Sequence, residues 1–270
     1  PTYGHLGMTE ACMNALYSNT QTPFHLIVTH APDSEDDLTE EWFKRLMKHI
    51  HNITFIERDS WKCGNQFFNE ALKHTQTDYL VTMMNSVRAE PGWEVVALDI
   101  MKQRPEVGTI GFKCLYGEYS RFYGSIESAG IAMRGYTPVD IGKDLPGHRL
   151  NESYSVLAAQ WAFAMHRVKA LVGNLEENHY HGHVGWDDID NSFVLRKKGW
   201  EILYCGMGAG YHNTRASRGD DSPEAAKKNI ENAHTFYKRW GYWEMFCKDK
   251  GLNQAGQPTT KMAERKRKKR

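Results

Sequence analysis

Asp187, Asp188 and Asp190 place three carboxylates within four residues, directly after His181-Gly182-His183-Val184-Gly185-Trp186. Such a group can take a proton from a hydroxyl, bind a cation, or cap a helix. As a base, a carboxylate of ordinary pKa is already ionised at neutral pH and needs only placement beside the reacting oxygen. His179, His181 and His183 alternate along the preceding segment, which suits one-sided metal ligation. No cysteine or carboxylate of sensible spacing distinguishes them from a polar loop.

The acids open a helix. Asp187 or Asp188 suits its first turn, Ile189 and Phe193 lie one turn apart, and Lys197, Lys198 and Gly199 suit its end. Upstream, short apolar β-branched runs at 24–29, 53–56, 79–84 and 107–112 alternate with helical patterns at 8–16, 38–50, 63–74 and 91–103. That alternation predicts an α/β fold with a largely parallel sheet. Ligands of such sheets lie beyond the carboxyl ends of the strands, so the loops after Thr29 and Met84 are first candidates for a site. Residues 115–153, rich in Gly, Tyr and Pro, read as long loops with short strands. Residues 156–165 are apolar and buried, and 168–173 form a short helix. A strand follows at 200–204, then a polar loop over 209–219 and a closing helix at 223–240.

The chain's 270 residues, 40% hydrophobic and 12% aromatic, supply a sizeable core. No run is long and apolar enough to span a membrane, and the start lacks the basic and apolar regions of a secretory signal. Five widely spaced cysteines without a CxxC pair read as reduced structural thiols, so a cytoplasmic protein is expected. Residues 261–270 carry seven basic side chains and one acid, so the net charge of +1 hides a body at −5. The tail reads either as a solvated terminus or as a contact with an anionic membrane's inner face. Nucleic-acid binding would rest on that tail alone.

Several stretches together resemble the family 2 glycosyltransferases, in particular a bacterial rhamnosyltransferase-like subgroup of surface-polysaccharide biosynthesis. Pro1-Thr2-Tyr3-Gly4 resembles the segment after the family's first strand, and residues 79–93 its central strand, loop and Pro-Gly-Trp segment. Val107-Gly108-Thr109-Ile110-Gly111-Phe112-Lys113-Cys114-Leu115-Tyr116 is similar to "VGxxGxKLLY", and Gly185-Trp186-Asp187-Asp188-Ile189-Asp190 to "xEDVD". Tyr211-His212-Asn213-Thr214-Arg215-Ala216-Ser217-Arg218-Gly219-Asp220-Asp221, with Pro223-Glu224 and Arg239-Trp240-Gly241, is similar to "YHHESASRGDD…PE…RWG". Each is weak alone; five in order cover nearly the whole chain.

The resemblance implies a GT-A fold with a mostly parallel central sheet flanked by helices over residues 1–245, and a C-terminal extension at 246–270. It implies an inverting transfer of a hexosyl or deoxyhexosyl group from a nucleotide-sugar donor to a saccharide or lipid-linked acceptor. Asp188 falls at the position of the base, and Trp186 and Asp187 fall on the acceptor side. Donor contacts fall to His30 and Asp33, where the family has a base-contacting aspartate, and to Asn85 and Ser86. Arg215 and Arg218 would face the diphosphate, since guanidinium forks match phosphate oxygens. His212 falls where the family places a cation-binding histidine, with Mn2+ or Mg2+ as the implied ion.

Three departures accompany it. Met84-Asn85-Ser86 holds no acid where the family has a DxD-like loop. His30, with Asp33 three residues on, stands where the family has its base-contacting aspartate, and the family's first strand would precede Pro1. The degenerate loop leaves a second reading open, a catalytically silent sugar- or nucleotide-binding module.

Overall fold

The computed structural model describes residues 1–32, 38–60, 63–180, 185–213 and 223–242, together with Met245 and Lys248. In chain order the elements are β1 (Thr2–Tyr3), α1 (Leu6–Asn19), β2 (Leu26–Ala31), α2 (Thr39–Leu46), β3 (Ile53–Glu57), α3 (Gly64–His74), β4 (Tyr79–Met83), β5 (Val87–Ala89) and α4 (Val95–Gln103). There follow β6 (Val107–Tyr116), β7 (Ile126–Ser128), β8 (Ile131–Arg134), β9 (Thr137–Asp140), β10 (Ser153–Ser155), β11 (Phe163–Arg167) and α5 (Val168–Leu171). The chain then forms α6 (Asp187–Lys197), β12 (Glu201–His212) and α7 (Pro223–Arg239).

Local chemistry accounts for these elements. α2 carries Glu40 and Glu41 in its first turn and Lys44 and Arg45 in its last, which suits the helix dipole, while Phe43 is fully buried. β6 is buried at nine consecutive positions, the pattern of a strand covered on both faces. Its glycines permit that cover: a Cβ at Gly108 would lie 2.8 Å from Trp200 Cβ, and one at Gly111 2.9 Å from Ala159 Cβ.

β1, β2 and β3 form a parallel three-stranded sheet, with Thr2 opposite His30 and Leu26 opposite Ile53. A seven-stranded sheet runs β10-β12-β6-β11-β4, with β5 and β7 attached to β12 and β6. The parallel pairing expected from strand–helix alternation holds for β1 to β3 and for β6 with β12. β11 departs from it, entering antiparallel between β6 and β4. Between Phe112, Phe163 and Trp93 the ring centroids lie 4.5–5.1 Å apart, and these rings form the middle of the main core. α6 and α7 enclose a second apolar cluster around Phe236 and Tyr237.

β12 corrects one expectation. Residues 209–212, read from sequence as the start of a loop, continue the strand to His212 after a register shift between Cys205 and Ala209. The glycines there serve close approach. A Cβ at Gly206 would strike the Leu150 carbonyl, and one at Gly208 the Trp93 carbonyl. Cys12, Cys63, Cys114 and Cys205 are buried free thiols. Among the described residues no helix is long and apolar enough to cross a membrane.

Candidate functional site

β4 ends at the Asn85-Ser86 loop, and both residues are largely buried. The Asn85 amide donates to Thr9 Oγ1 at 3.0 Å and to the Gly4 carbonyl at 3.3 Å, tying the loop to the start of α1. The Ser86 carbonyl accepts the Asn213 amide at 3.0 Å, and β5 pairs Val87 with His212. Asn85, Ser86 and His212, far apart in sequence, are therefore neighbours.

His212 Nδ1 lies 2.8 Å from Glu127 Oε2, and both side chains are almost wholly buried. Gln160 Nε2 donates to the other Glu127 oxygen at 3.4 Å. Next to Gln160, the Ala159 amide donates to Ser192 Oγ at 3.3 Å, and Ser192 donates to the Asp188 carbonyl at 2.8 Å. A continuous run of contacts thus leads from Ser86 through His212 and Glu127 to the helix that carries Asp188. No motif marks Glu127 or Gln160 in the sequence. The available signal was an isolated polar side chain inside an apolar stretch, Ile126-Glu127-Ser128-Ala129 and Ala158-Ala159-Gln160-Trp161. Asp140, on β9, also stands in this acidic interior, and burial raises its carboxyl above the usual range.

α6 begins at Asp187, and its cap position is Trp186, not an aspartate. Gly185 and Trp186 both adopt left-handed backbone, with φ of 87° and 80°. For tryptophan this conformation costs about 1–3 kcal/mol. Packing offsets it: the indole lies 5.4 Å from Phe236 and Tyr237 ring centroids, and Nε1 donates to Asn229 Oδ1 at 2.7 Å. Asp187 abuts Gly64, the first residue of α3, where a Cβ would run into its carboxylate. Asp188 is half-buried, and its Oδ1 accepts the Ile189 amide at 2.8 Å. Asp190 is buried and accepts Trp240 Nε1 at 2.7 Å, with Arg239 Nε at 3.3 Å. Burial raises the Asp190 carboxyl, and the Trp240, Arg239 and Tyr180 contacts oppose that rise. It clamps the end of α7 to α6.

The remaining candidates fall elsewhere. His30 is fully buried near the end of β2, with Nδ1 2.8 Å from Thr2 Oγ1 and its ring 5.6 Å from Phe55. His179 pairs with Glu176, whose carboxyl is lowered to about 2, first by the Arg239 hydrogen bond and then by His179. Asp33, His181, His183, Arg215, Arg218 and the basic tail at 261–270 lie outside the described residues.

The fold so built is the GT-A fold of nucleotide-sugar transferases. Two solved structures share it: GalNAc-T7 with UDP, GalNAc and Mn2+ (TM-score 0.62, 9% identity, 94% of this chain covered), and the mannosyltransferase PcManGT from Pyrobaculum calidifontis with GDP-Man and Mn2+ (TM-score 0.55, 16% identity, 89% covered). The chain spans 53% and 61% of those two chains. No protein-family profile and no curated protein sequence matches it.

Mn2+ in both structures raises the question of fit. At a divalent site, His212 would offer one neutral imidazole, and the Asn85-Ser86 loop only neutral oxygens where hard cations favour carboxylates. The described residues hold no group of three His, Cys, Asp or Glu side chains able to bind an ion. The described donor set does not fit a dedicated cation site.

Proposed function

We propose that the chain is an inverting glycosyltransferase of the rhamnosyltransferase-like type, active in polysaccharide assembly. It moves a hexosyl or deoxyhexosyl group from a nucleotide-sugar to a saccharide or lipid-linked hydroxyl. The observation that carries this reading is the contact path joining the Asn85-Ser86 loop, His212 and the Asp188 helix within a GT-A fold. A transfer site needs its donor and acceptor sides carried on adjoining elements, and this path supports such an arrangement.

In this reading Asp188 takes the acceptor proton as the oxygen attacks the anomeric carbon, and the nucleotide diphosphate leaves from the opposite face. The acceptor binds beside Asp187 and the accessible edge of Trp186. Asp33 is assigned to the nucleotide base, with fully buried His30 before it near the end of β2, and Asn85 and Ser86 are assigned to the diphosphate. Arg215 and Arg218 supply cationic charge to the leaving group, since fixed positive groups stabilise charge that develops there. His212 adds a polar contact whose orientation Glu127 sets. The basic tail at 261–270 holds the enzyme at an anionic membrane surface. The test is consumption of UDP-, GDP- and dTDP-sugars over an acceptor panel, where loss of turnover in Asp188→Asn supports the assignment and unchanged turnover overturns it.

A specific feature favours a second reading. The Asn85 side chain is committed to Thr9 and Gly4, and its loop lacks an acid. A binding module that kept the fold and lost transfer would show this. Calorimetric titration with UDP, GDP and dTDP, with and without Mn2+, separates the two: binding without turnover on any acceptor selects the module.

A further inference from the structure

The parallel strands β6 and β12 end side by side, with Tyr116 opposite His212, and beyond those carboxyl ends residues 117–125 turn the chain back into β7. Turns close this loop: the Ser120 amide donates to the Gly117 carbonyl, the Tyr123 amide to Ser120 and the Ser125 amide to Phe122, at 2.9–3.1 Å. The Gly117 amide donates to the His212 carbonyl at 2.9 Å, and a Cβ at Gly117 would run into the Asn213 side chain. The loop is therefore built against the candidate site.

It turns aromatic rings outward. Tyr119 is 74% exposed and Tyr123 58%. Tyr123 stacks on Tyr211, the neighbour of His212, with ring centroids 5.3 Å apart and 21° between the planes. Phe122 lies 5.7 Å from Tyr116, and the Arg121 guanidinium stands 4.6 Å over its ring. Arg88, opposite Tyr211 on β5, reaches Glu118 at 3.1 Å and ties the loop to the strand that follows Ser86. Core packing does not account for rings held rigid and left in water, and a cluster of them beside a site marks a binding surface.

We infer that Tyr119, Tyr123 and Tyr211 form a stacking platform for a neutral pyranose ring of the acceptor, beyond the sugar whose hydroxyl reacts. A pyranose has a face of C–H groups and a rim of hydroxyls. A tyrosine ring takes the face, its phenol and the neighbouring charged groups take the rim, and little side-chain entropy is lost in doing so. The platform also stands beyond the carboxyl ends of parallel strands, where ligands of such sheets bind. A diphosphate would require uncommitted cations, whereas Arg88 is engaged with Glu118 and Arg121 with Phe122. A lipid chain would require aliphatic surface, and of the exposed apolar residues at this loop only Leu145 is aliphatic. The sugar's role as acceptor rests on the transfer reading; its stacking does not.

The test is NMR of the full chain carrying ring-labelled tyrosine, with Tyr119→Phe and Tyr123→Phe assigning the two signals. The probes are methyl β-glucoside, methyl β-galactoside, methyl α-rhamnoside and cellobiose. Saturable shifts of both rings by at least one sugar are expected. Tyr123→Ala should raise its Kd about tenfold, and Tyr123→Phe, which keeps the ring, by less than about threefold. Both changes fall on an exposed side chain, so the melting temperature should hold. No shift with any of the sugars, or a Kd indifferent to Tyr123→Ala, overturns the inference. So do shifts produced only by UDP, GDP or dTDP, or only by anionic phospholipid vesicles, which would give the rings to a nucleotide or a membrane. Tyr123-dependent sugar binding in a chain that turns over no donor upholds the platform and sinks the transfer reading, whereas donor turnover without such binding does the reverse.

Discussion

His212 Nδ1 and Glu127 Oε2 lie 2.8 Å apart in the interior, where neither side chain is more than 10% exposed. A carboxylate at that nitrogen holds the proton on Nδ1 and leaves the lone pair on Nε2, fixing both tautomer and ring orientation. Glu127→Gln keeps the volume and an accepting oxygen but removes the charge. It is expected to lower kcat/KM by about 10–100-fold with little change in melting temperature. Steady-state kinetics beside a thermal melt checks this; equal losses in His212→Ala and the double variant would show that the two act as a unit.

Gly208 lies in β12 beneath the Trp93 carbonyl, with Phe112 Cε1 2.9 Å from where a Cβ would stand. Its backbone is not left-handed, so alanine fails there through collision alone. Gly208→Ala is expected to destabilise by about 1–3 kcal/mol, as overpacking does. Gly199, at φ 90° with open space around it, should lose about 1 kcal/mol through backbone strain instead. Urea unfolding of both variants measures the contrast.

These glycines also show where the sequence could and could not be read. Period and length located α1 to α4, β2 to β4 and α6 to within a few residues, because each buries one stripe or one edge-bounded apolar run. Gly206, Gly208 and Gly210 look identical in sequence to loop glycines, since a close approach by Leu150, Trp93 or Phe163 is a tertiary fact. The antiparallel entry of β11 was equally invisible: an apolar run does not encode its direction. In the candidate site, Asp188, Asn85, Ser86 and His212 stood out through resemblance, and the fold sets the last three side by side. Glu127 had no motif to mark it, because its partner lies 85 positions away.

His166 is fully buried between Thr82 and Thr109, which hold its ring nitrogens at 2.9 and 3.0 Å. Burial lowers its pKa from the ordinary 6.5 to about 3. Between those values the unfolded chain binds a proton that the folded one refuses, so stability rises with pH. The contribution is complete above about 6.5 and is lost as pH falls toward 3, at about 1.4 kcal/mol per unit. By pH 4.5 the loss should reach about 2–3 kcal/mol. Glu176, held near 2, adds a loss of the same sign at lower pH, but it is half-exposed and contributes little. His166→Gln should flatten the wild-type slope between pH 6.5 and 4.5, measured by denaturant unfolding at each pH.

Asp188 and Asp190 are two residues apart on one helical turn, yet their surroundings differ enough to divide their roles. Asp190 is buried against Trp240, Arg239 and Tyr180, and a carboxylate so enclosed has no path to an acceptor hydroxyl. Removing it strands the indole and part of the guanidinium charge, although Glu176 still holds Arg239 at 2.6 Å. Asp190→Ala is therefore expected to cost about 2–3 kcal/mol of stability, with the activity of the surviving folded fraction close to wild type. Asp188 is only half-buried, and of the contacts it makes the Ile189 amide is its own neighbour in sequence. Asp188→Asn should leave the melting temperature within a degree or two and lower kcat by about 10²–10⁴-fold, the range for loss of a general base. If instead the stability loss falls on Asp188 and the rate loss on Asp190, the proton acceptor has been placed on the wrong carboxylate.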